Sequence, residues 1–146
     1  MEAMAVVVLV AIAVPPMAAI ARSHAHAAGD AARRHTAVHL AAGIVEAILA
    51  DVESADPRLG FPGLARPDYI ESQVDGLRLR LGPMLEPATA LRIDFDVAFS
   101  DPFTNSGDPA GAADPLAMRL VTVTTTWPSM SGRAATFELQ TAVVNR

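Results

Sequence analysis

The sequence predicts an α+β fold: one long N-terminal helix packed on an antiparallel sheet of about four strands. Three observations predict it. Ala3 to Ala21 carries no charged residue and is about long enough to cross a bilayer as a helix. Val38, Ala41, Val45, Ile48 and Val52 then recur at three- and four-residue steps, which places them on one helical face. Beyond Leu77, several segments alternate apolar and polar residues with the period of a half-buried strand. The 146 residues thus divide into a membrane-spanning half-helix over 1–21, an amphipathic half-helix over 22–56 and a globular β domain over 57–146.

The head of the chain is strongly apolar at Val6, Val7, Val8, Leu9, Val10 and Ile12 and mostly alanine afterwards, until Arg22 ends the run. A buried core helix is an alternative, but such a helix normally keeps a polar face, and this run has none. A cleaved secretory signal is another. Ala25-His26-Ala27 has the small-x-small form of a cleavage site, but no basic n-region precedes the apolar run, which is also long for an h-region. Pro15 and Pro16 interrupt an otherwise helical pattern. Proline lacks the backbone donor and clashes with the preceding turn, so the helix is expected to bend or loosen there. Arg22, Arg33 and Arg34 all follow the apolar run, and the positive-inside rule by itself would put the body in the cytoplasm.

Residues 22–54 continue as helix. Asp30 and Arg34 are spaced i,i+4. The stripe of Val38, Ala41, Val45, Ile48 and Val52 suits packing on a sheet, with Glu46, Asp51 and Glu53 off it. Pro57 and Gly60 end the pattern, for one helix of roughly 80 Å at 1.5 Å per residue. The Gly- and Pro-rich segment 57–67 reads as a connecting loop.

Four strands are expected next. Leu77 to Leu81, "LRLRL", alternates. "LRIDFDVAF" sets Leu91, Ile93, Phe95, Val97 and Phe99 against Arg92, Asp94 and Asp96. A long turn-rich loop follows. "RLVTVTTTW" places Val121, Val123 and Trp127 opposite threonines, "PSMSGR" is a turn, and "ATFELQTAVV" closes the chain with Phe137, Leu139, Thr141 and Val143 on one face. One apolar sheet face would cover the helical stripe while the other meets water.

Composition narrows the function classes. Hydrophobic residues are 51% of the chain, with the excess concentrated in the first fifty positions. The net charge is −5 and all eleven basic residues are scattered arginines, so no basic stripe invites nucleic acid. With no cysteine, disulfides, thiolate catalysis and Cys-ligated metals are excluded.

Three segments in this order resemble the type IV pilin superfamily, nearest to minor pilins and to the minor pseudopilins of type II secretion. "MEAMAVVVLVAIA" is similar to the start of the mature chain, with Glu2 at the family's glutamate. "HTAVHLAAGIVEAILADV" is similar to the segment where the helix meets the globule. "MRLVTVTTTWPSMSGRAATFELQTAVV" resembles the C-terminal hairpin. The resemblance implies a prepilin N-terminal methylation motif, with a basic leader ahead of Met1 cut by a prepilin peptidase. Such a leader would reverse the charge balance and place the globule outside the cytoplasmic face of a bacterial inner membrane.

The resemblance gives the unusual residues roles. A carboxylate at the edge of hydrocarbon is costly unless paired, so Glu2 is expected to pair with the N-terminal amine of a neighbouring subunit and set its register. The alternative is a start-of-chain residue in the headgroup layer. Pro15 and Pro16 would mark a segment that extends on assembly, or would simply be tolerated as prolines in membrane helices are. Small residues such as Ala3, Ala5, Ala11, Ala18 and Ala19 would permit close helix packing. Val38, Val45, Ile48 and Val52 are the expected helix–sheet contacts.

Enzymatic and metal chemistry find no pattern. His35 and His39 are spaced i,i+4 with His24 on nearly the same face, but no carboxylate completes a zinc site and there is no His-Glu-x-x-His. Asp101, Asn105, Asp108 and Asp114 could chelate calcium, as some pseudopilins do, although their spacing misses the EF-hand and suits ordinary turns. No serine sits in a nucleophile elbow, and Trp127 reads as a packing residue of the hairpin. The expectation is a non-enzymatic filament subunit without cofactor or metal. Its partners would be other subunits, the inner membrane and a secreted substrate, in a pilus, a secretion system or a DNA-uptake machine. The rival is an exported or membrane-tethered β-rich binding domain that never polymerises.

Overall fold

The structure, a computed structural model, describes residues 2–54, 56 and 58–145, with side chains from Pro15 onward. Helix α1 runs from Glu2 to Val52, 51 residues, and passes through Pro15 and Pro16 without interruption. Short helices α2 (Gly60–Gly63), α3 (Leu77–Arg80) and α4 (Gly82–Ala90) follow. Three strands then complete the order: β1 (Asp94–Phe99), β2 (Met118–Pro128) and β3 (Ala134–Val144). They form one antiparallel sheet in the order β1-β2-β3. In register, Val97 lies opposite Val123, and Val123 opposite Leu139.

The C-terminal half of α1 lies across the inner face of this sheet. Met130, in the β2–β3 turn, donates its backbone N–H to Asp30 Oδ1 at 2.7 Å, and Arg33 donates to the carbonyl of Pro128 at 2.7 Å. At the other end, Leu49 and Val52 face Ala142, Val143 and Val144. The helix therefore runs parallel to β3 and antiparallel to β2. Strand β2 alternates buried and half-buried residues along its whole length, as one covered face requires. The 59–81 segment covers β1. The rings of Tyr69 and Phe99 meet edge-on at 5.5 Å, and the guanidinium of Arg78 sits 4.2 Å above the Phe95 ring.

The buried line of α1 is Ala37, Leu40, Ala41, Ile44, Ile48 and Asp51. It lies one residue away from the expected stripe. Ile48 is fully buried, whereas Val38, Val45 and Val52 flank the line half-buried. Ala37 and Ala41 are fully buried beside Leu40, Ile44 and Ile48, and the three valines lie at the margins. Asp51, expected off the stripe, belongs to it.

The sheet has three strands, not four. Leu77 to Leu81 is helical, and its leucines divide accordingly: Leu77 and Leu81 are buried while Leu79 is 55% exposed. Burial at i and i+4 is a helical pattern that five residues of alternation imitate. Two adjacent observations favour the helical alternative. Gly76 sits where a Cβ would come within 2.4 Å of the Ser72 carbonyl, and a proline at the start of α4 continues the chain into the next turn. Strand β1 begins at Asp94, not Leu91. Helix α4 ends in a reverse step with Arg92 at φ 57 and the Ile93 N–H bonded to the Ala88 carbonyl at 2.9 Å. This is the hydrogen bond of a Schellman ending, with arginine where glycine is usual. The 57–67 segment is not pure loop, since α2 lies within it with Phe61 buried.

The shifted line makes a direct prediction. Ile44→Ala, at the centre, should lower unfolding stability by about 2–5 kcal/mol. Val38→Ala, at the margin, should cost about 1 kcal/mol. Denaturant titration of the two variants checks the order, and equal losses would return the stripe to its expected phase.

Candidate functional site

The half of α1 that leaves the body is the first candidate for function. Every described residue from Pro15 to Ala28 is exposed, including the large apolar side chains of Met17 (68%) and Ile20 (58%). An 18-residue window within Pro15–Val52 reaches a mean hydropathy of 1.3, enough for a membrane span by length and composition, with 33% of that window buried in the body. A single helix of this kind near the N-terminus is consistent with a single-pass membrane anchor. Pro15 and Pro16 lie exposed on it. The side chain of Glu2 lies outside the described residues. Of the expected helix–sheet contacts, Ile48 lies in the core with Leu40 and Ile44, Val45 and Val52 pack half-buried against it, and Val38 is half-buried without joining the cluster.

A polar cluster missing from the sequence reading secures the other end of α1. Asp51, 4% exposed, accepts hydrogen bonds from the Tyr69 hydroxyl and from both terminal nitrogens of Arg80, one at 2.6 Å. The bidentate fork fixes the orientation of both groups. Burial first, and then the bond to Asp51, push the Tyr69 phenol far above its ordinary range. The hydrogen bond to Asp51 likewise raises Arg80. Both therefore hold their protons throughout the working range, and the cluster clamps rather than exchanges protons. The available signal was Asp51 itself, a carboxylate three residues after Ile48.

A second network shapes the loop beyond. Arg66 bridges Asp68 at 2.8 Å and Asp75 at 3.0 Å, while the Ser72 hydroxyl donates to Asp75 at 2.6 Å. The bonds from Arg66, then Ser72, draw the Asp75 carboxyl down to about 2. Arg119 is a different case. It is 7% exposed, donates to the Ser100 carbonyl at 2.8 Å, lies over the Phe61 ring and makes no ion pair, and its Nε has no partner among the described residues.

The remaining sequence candidates fall into structural roles. His35 and His39 meet on one exposed face with their rings tilted by 59° and their Nε2 atoms 3.0 Å apart. Among the described residues no three His, Asp or Glu side chains gather into a metal-binding group. In the 100–117 loop, Asp108 accepts from Ser106 and Asp114 from the backbone N–H of Leu116, which is turn chemistry. Trp127 is buried at 6% exposure in the sheet's inner face. An open groove of about 410 Å³ lies between the end of α1 and β3, lined by Leu49, Val52, Ser54, Ala142 and Val144. The chain matches no protein-family model, no curated protein and no solved structure at a significant level.

Four measurements test these roles. Asp51→Asn should cost roughly 2–4 kcal/mol, somewhat under the loss for a fully buried pair because Arg80 keeps part of its surface in water. In a double-mutant cycle, Asp51→Leu with Arg80→Met should cost less than Asp51→Leu alone. Arg119→Met should be neutral or stabilising, since it removes a buried charge that has no counter-ion. Asp75 has a depressed folded-state value, so its contribution is complete above the ordinary carboxyl range near 3.8 and is lost as pH falls toward about 2. Acid titration of Asp75→Asn should accordingly show a shallower stability loss than the parent between those limits.

Proposed function

We propose that this chain is a non-enzymatic subunit of a filament assembled from a bacterial inner membrane, a minor pilin or pseudopilin. One observation carries the reading: a single helix whose second half packs on a small sheet domain, while its described residues from Pro15 to Ala28 stand exposed and the sequence ahead of them is apolar. A rod of this kind has two suitable surroundings, lipid or the apolar rods of neighbouring subunits. The mechanism is transfer between them. The rod holds the subunit in the membrane, then packs among other rods in the filament core, where close approach of small residues substitutes for lipid contact. The globule faces outward, to neighbouring subunits or a secreted substrate. Glu2 heads the rod and pairs with a positive group of the next subunit, which sets the axial step. The resemblance of the opening, the helix–globule segment and the C-terminal hairpin to the type IV pilin superfamily supports this reading.

Glu2→Leu separates it from the rival, a tethered domain that never polymerises. The variant should stay in the membrane fraction while the protein recovered in sheared filaments falls at least tenfold. Unchanged incorporation alongside normal membrane retention would remove the mechanism and leave the tethered domain.

A further inference from the structure

The charges of this acidic protein are sorted by position along α1. Arg22, Arg33 and Arg34 lie on the helix just beyond the apolar run, with Asp30 the sole carboxylate among them. The fold adds a fourth arginine from far away in sequence. The β2–β3 turn docks on Gly29 and Asp30, and this brings Arg133, at its end, to the same level of the rod. The result is a collar of four arginines against one carboxylate, and all four histidines of the chain, His24, His26, His35 and His39, share the same stretch of helix. Arg22, Arg34 and Arg133 are exposed and make no ion pair among the described residues. The distal body behaves differently, with Arg66, Arg78 and Arg80 each bound to carboxylates. Arg58, Arg92 and the buried Arg119 also make no ion pair among the described residues, but Arg22, Arg34 and Arg133 are three exposed, unpaired arginines on the stretch where the rod enters the body.

We infer that this collar is a docking surface for anionic lipid headgroups, and that it makes the rod lean so that the 129–133 turn rests on the membrane. The inference depends on the anchor role proposed for the apolar half of α1, but not on polymerisation. Magnitudes require the lean. With Arg22 at the hydrocarbon boundary, Arg33 stands about 17 Å further along the axis. An upright helix would hold it roughly 10 Å above a headgroup layer about 7 Å deep, beyond a Debye length of about 8 Å. A tilt of about 40°, within the range of membrane helices, lowers it to roughly 6 Å and into the surface field. Each arginine near such a surface favours the docked state roughly fivefold. Met130, 41% exposed at the tip of the turn, supplies an apolar contact for the interfacial layer.

The chain has no cysteine, so a single Ser131→Cys provides a unique labelling position on the exposed turn. The labelled full-length protein is reconstituted into vesicles of phosphatidylcholine alone or with 30 mol% phosphatidylglycerol. Energy transfer from the dye to a headgroup acceptor then reports the height of the turn. Transfer should rise in the anionic vesicles, fall back in high salt and be abolished in Arg22→Gln/Arg34→Gln/Arg133→Gln, a loss of roughly twenty-five-fold in preference for the lean, since Arg22 meets the headgroups upright or leaning. Arg33 is left intact because it holds the turn to the helix, and an unchanged thermal midpoint would show the triple variant is folded. Equal transfer in both vesicle types overturns the collar, as does transfer that survives the three substitutions. If the substitutions instead separate chemically cross-linked copies and vesicle charge has no effect, the collar is a chain–chain contact and the inference falls. Failure of the unsubstituted, labelled protein to float with either vesicle overturns the anchor, and the collar with it.

Discussion

One helix has to satisfy two surroundings, and the rest of the molecule follows from that constraint. From Ala37 to Asp51 a narrow line of α1 is buried against the sheet. From Pro15 to Ala28 every residue of the same helix is exposed, Met17 and Ile20 among them. The transition is local. At Gly29 a Cβ would stand 3.3 Å from Met130 Cγ, closer than most real Cβ contacts, so the missing side chain lets the turn come against the rod. One residue later Asp30 takes up the Met130 N–H. The body begins where a residue without a side chain is followed by one that accepts a hydrogen bond.

The body ends by a similar device. Asp51 holds Tyr69 and Arg80 at the far end of the packed helix. From Asp30 to Asp51 the helix advances about 32 Å, and strands β2 and β3, each 11 residues, extend about 37 Å. The two polar contacts therefore sit close to the two ends of the long hairpin. Between them the interface is apolar and without direction, so it would tolerate sliding by a turn. The carboxylates at its ends remove that freedom, since a slip would leave Asp51 buried without partners.

Much of this was legible in the amino-acid order. The period-two stretches around Phe95, Val121 to Trp127 and Phe137 to Val143 identify their strands, because each buries one face and leaves polar residues on the other. The long helix was equally clear. What escaped were positions decided by tertiary contacts. Val38, Val45 and Val52 look like the centre of a stripe because they are larger than Ala37 and Ala41, yet the buried line runs through Ala37, Leu40, Ala41, Ile44 and Ile48 and leaves the valines half-buried. Leu77 to Leu81 alternates like a strand, but its arginines are committed elsewhere: Arg80 to Asp51, and Arg78 to Glu71, Asp94 and the carbonyl of Phe95. Arg92 conceals a helix ending because glycine is the usual residue at a positive φ. The docking of Met130 on Gly29 joins residues about a hundred positions apart, and no local pattern encodes it. The candidate residues divide the same way: the apolar run is written in composition, while the cluster of Asp51, Tyr69 and Arg80 and the placing of Arg133 beside the helix depend on the fold.

The exposed edge of the sheet shows how an anchor would alter a surface hazard. Strand β3 stands at the end of the order β1-β2-β3, and among the described residues nothing bonds the backbone of its outer edge. It is long, contains no proline and has Glu138 as its one charge. An edge of this kind invites pairing with another copy. Edge β1 is blunted by Arg78, which donates to the Phe95 carbonyl at 3.2 Å, and β3 has no such cover. Antiparallel pairing of two β3 strands would reverse everything rigidly attached to each of them. Because α1 runs parallel to β3, the two apolar rods would then point in opposite directions. Two rods held in one bilayer with their bodies on the same side cannot adopt that arrangement. An anchor would thereby exclude the edge-to-edge pairing that the strand itself would allow, and would leave open contacts in which all the rods point the same way.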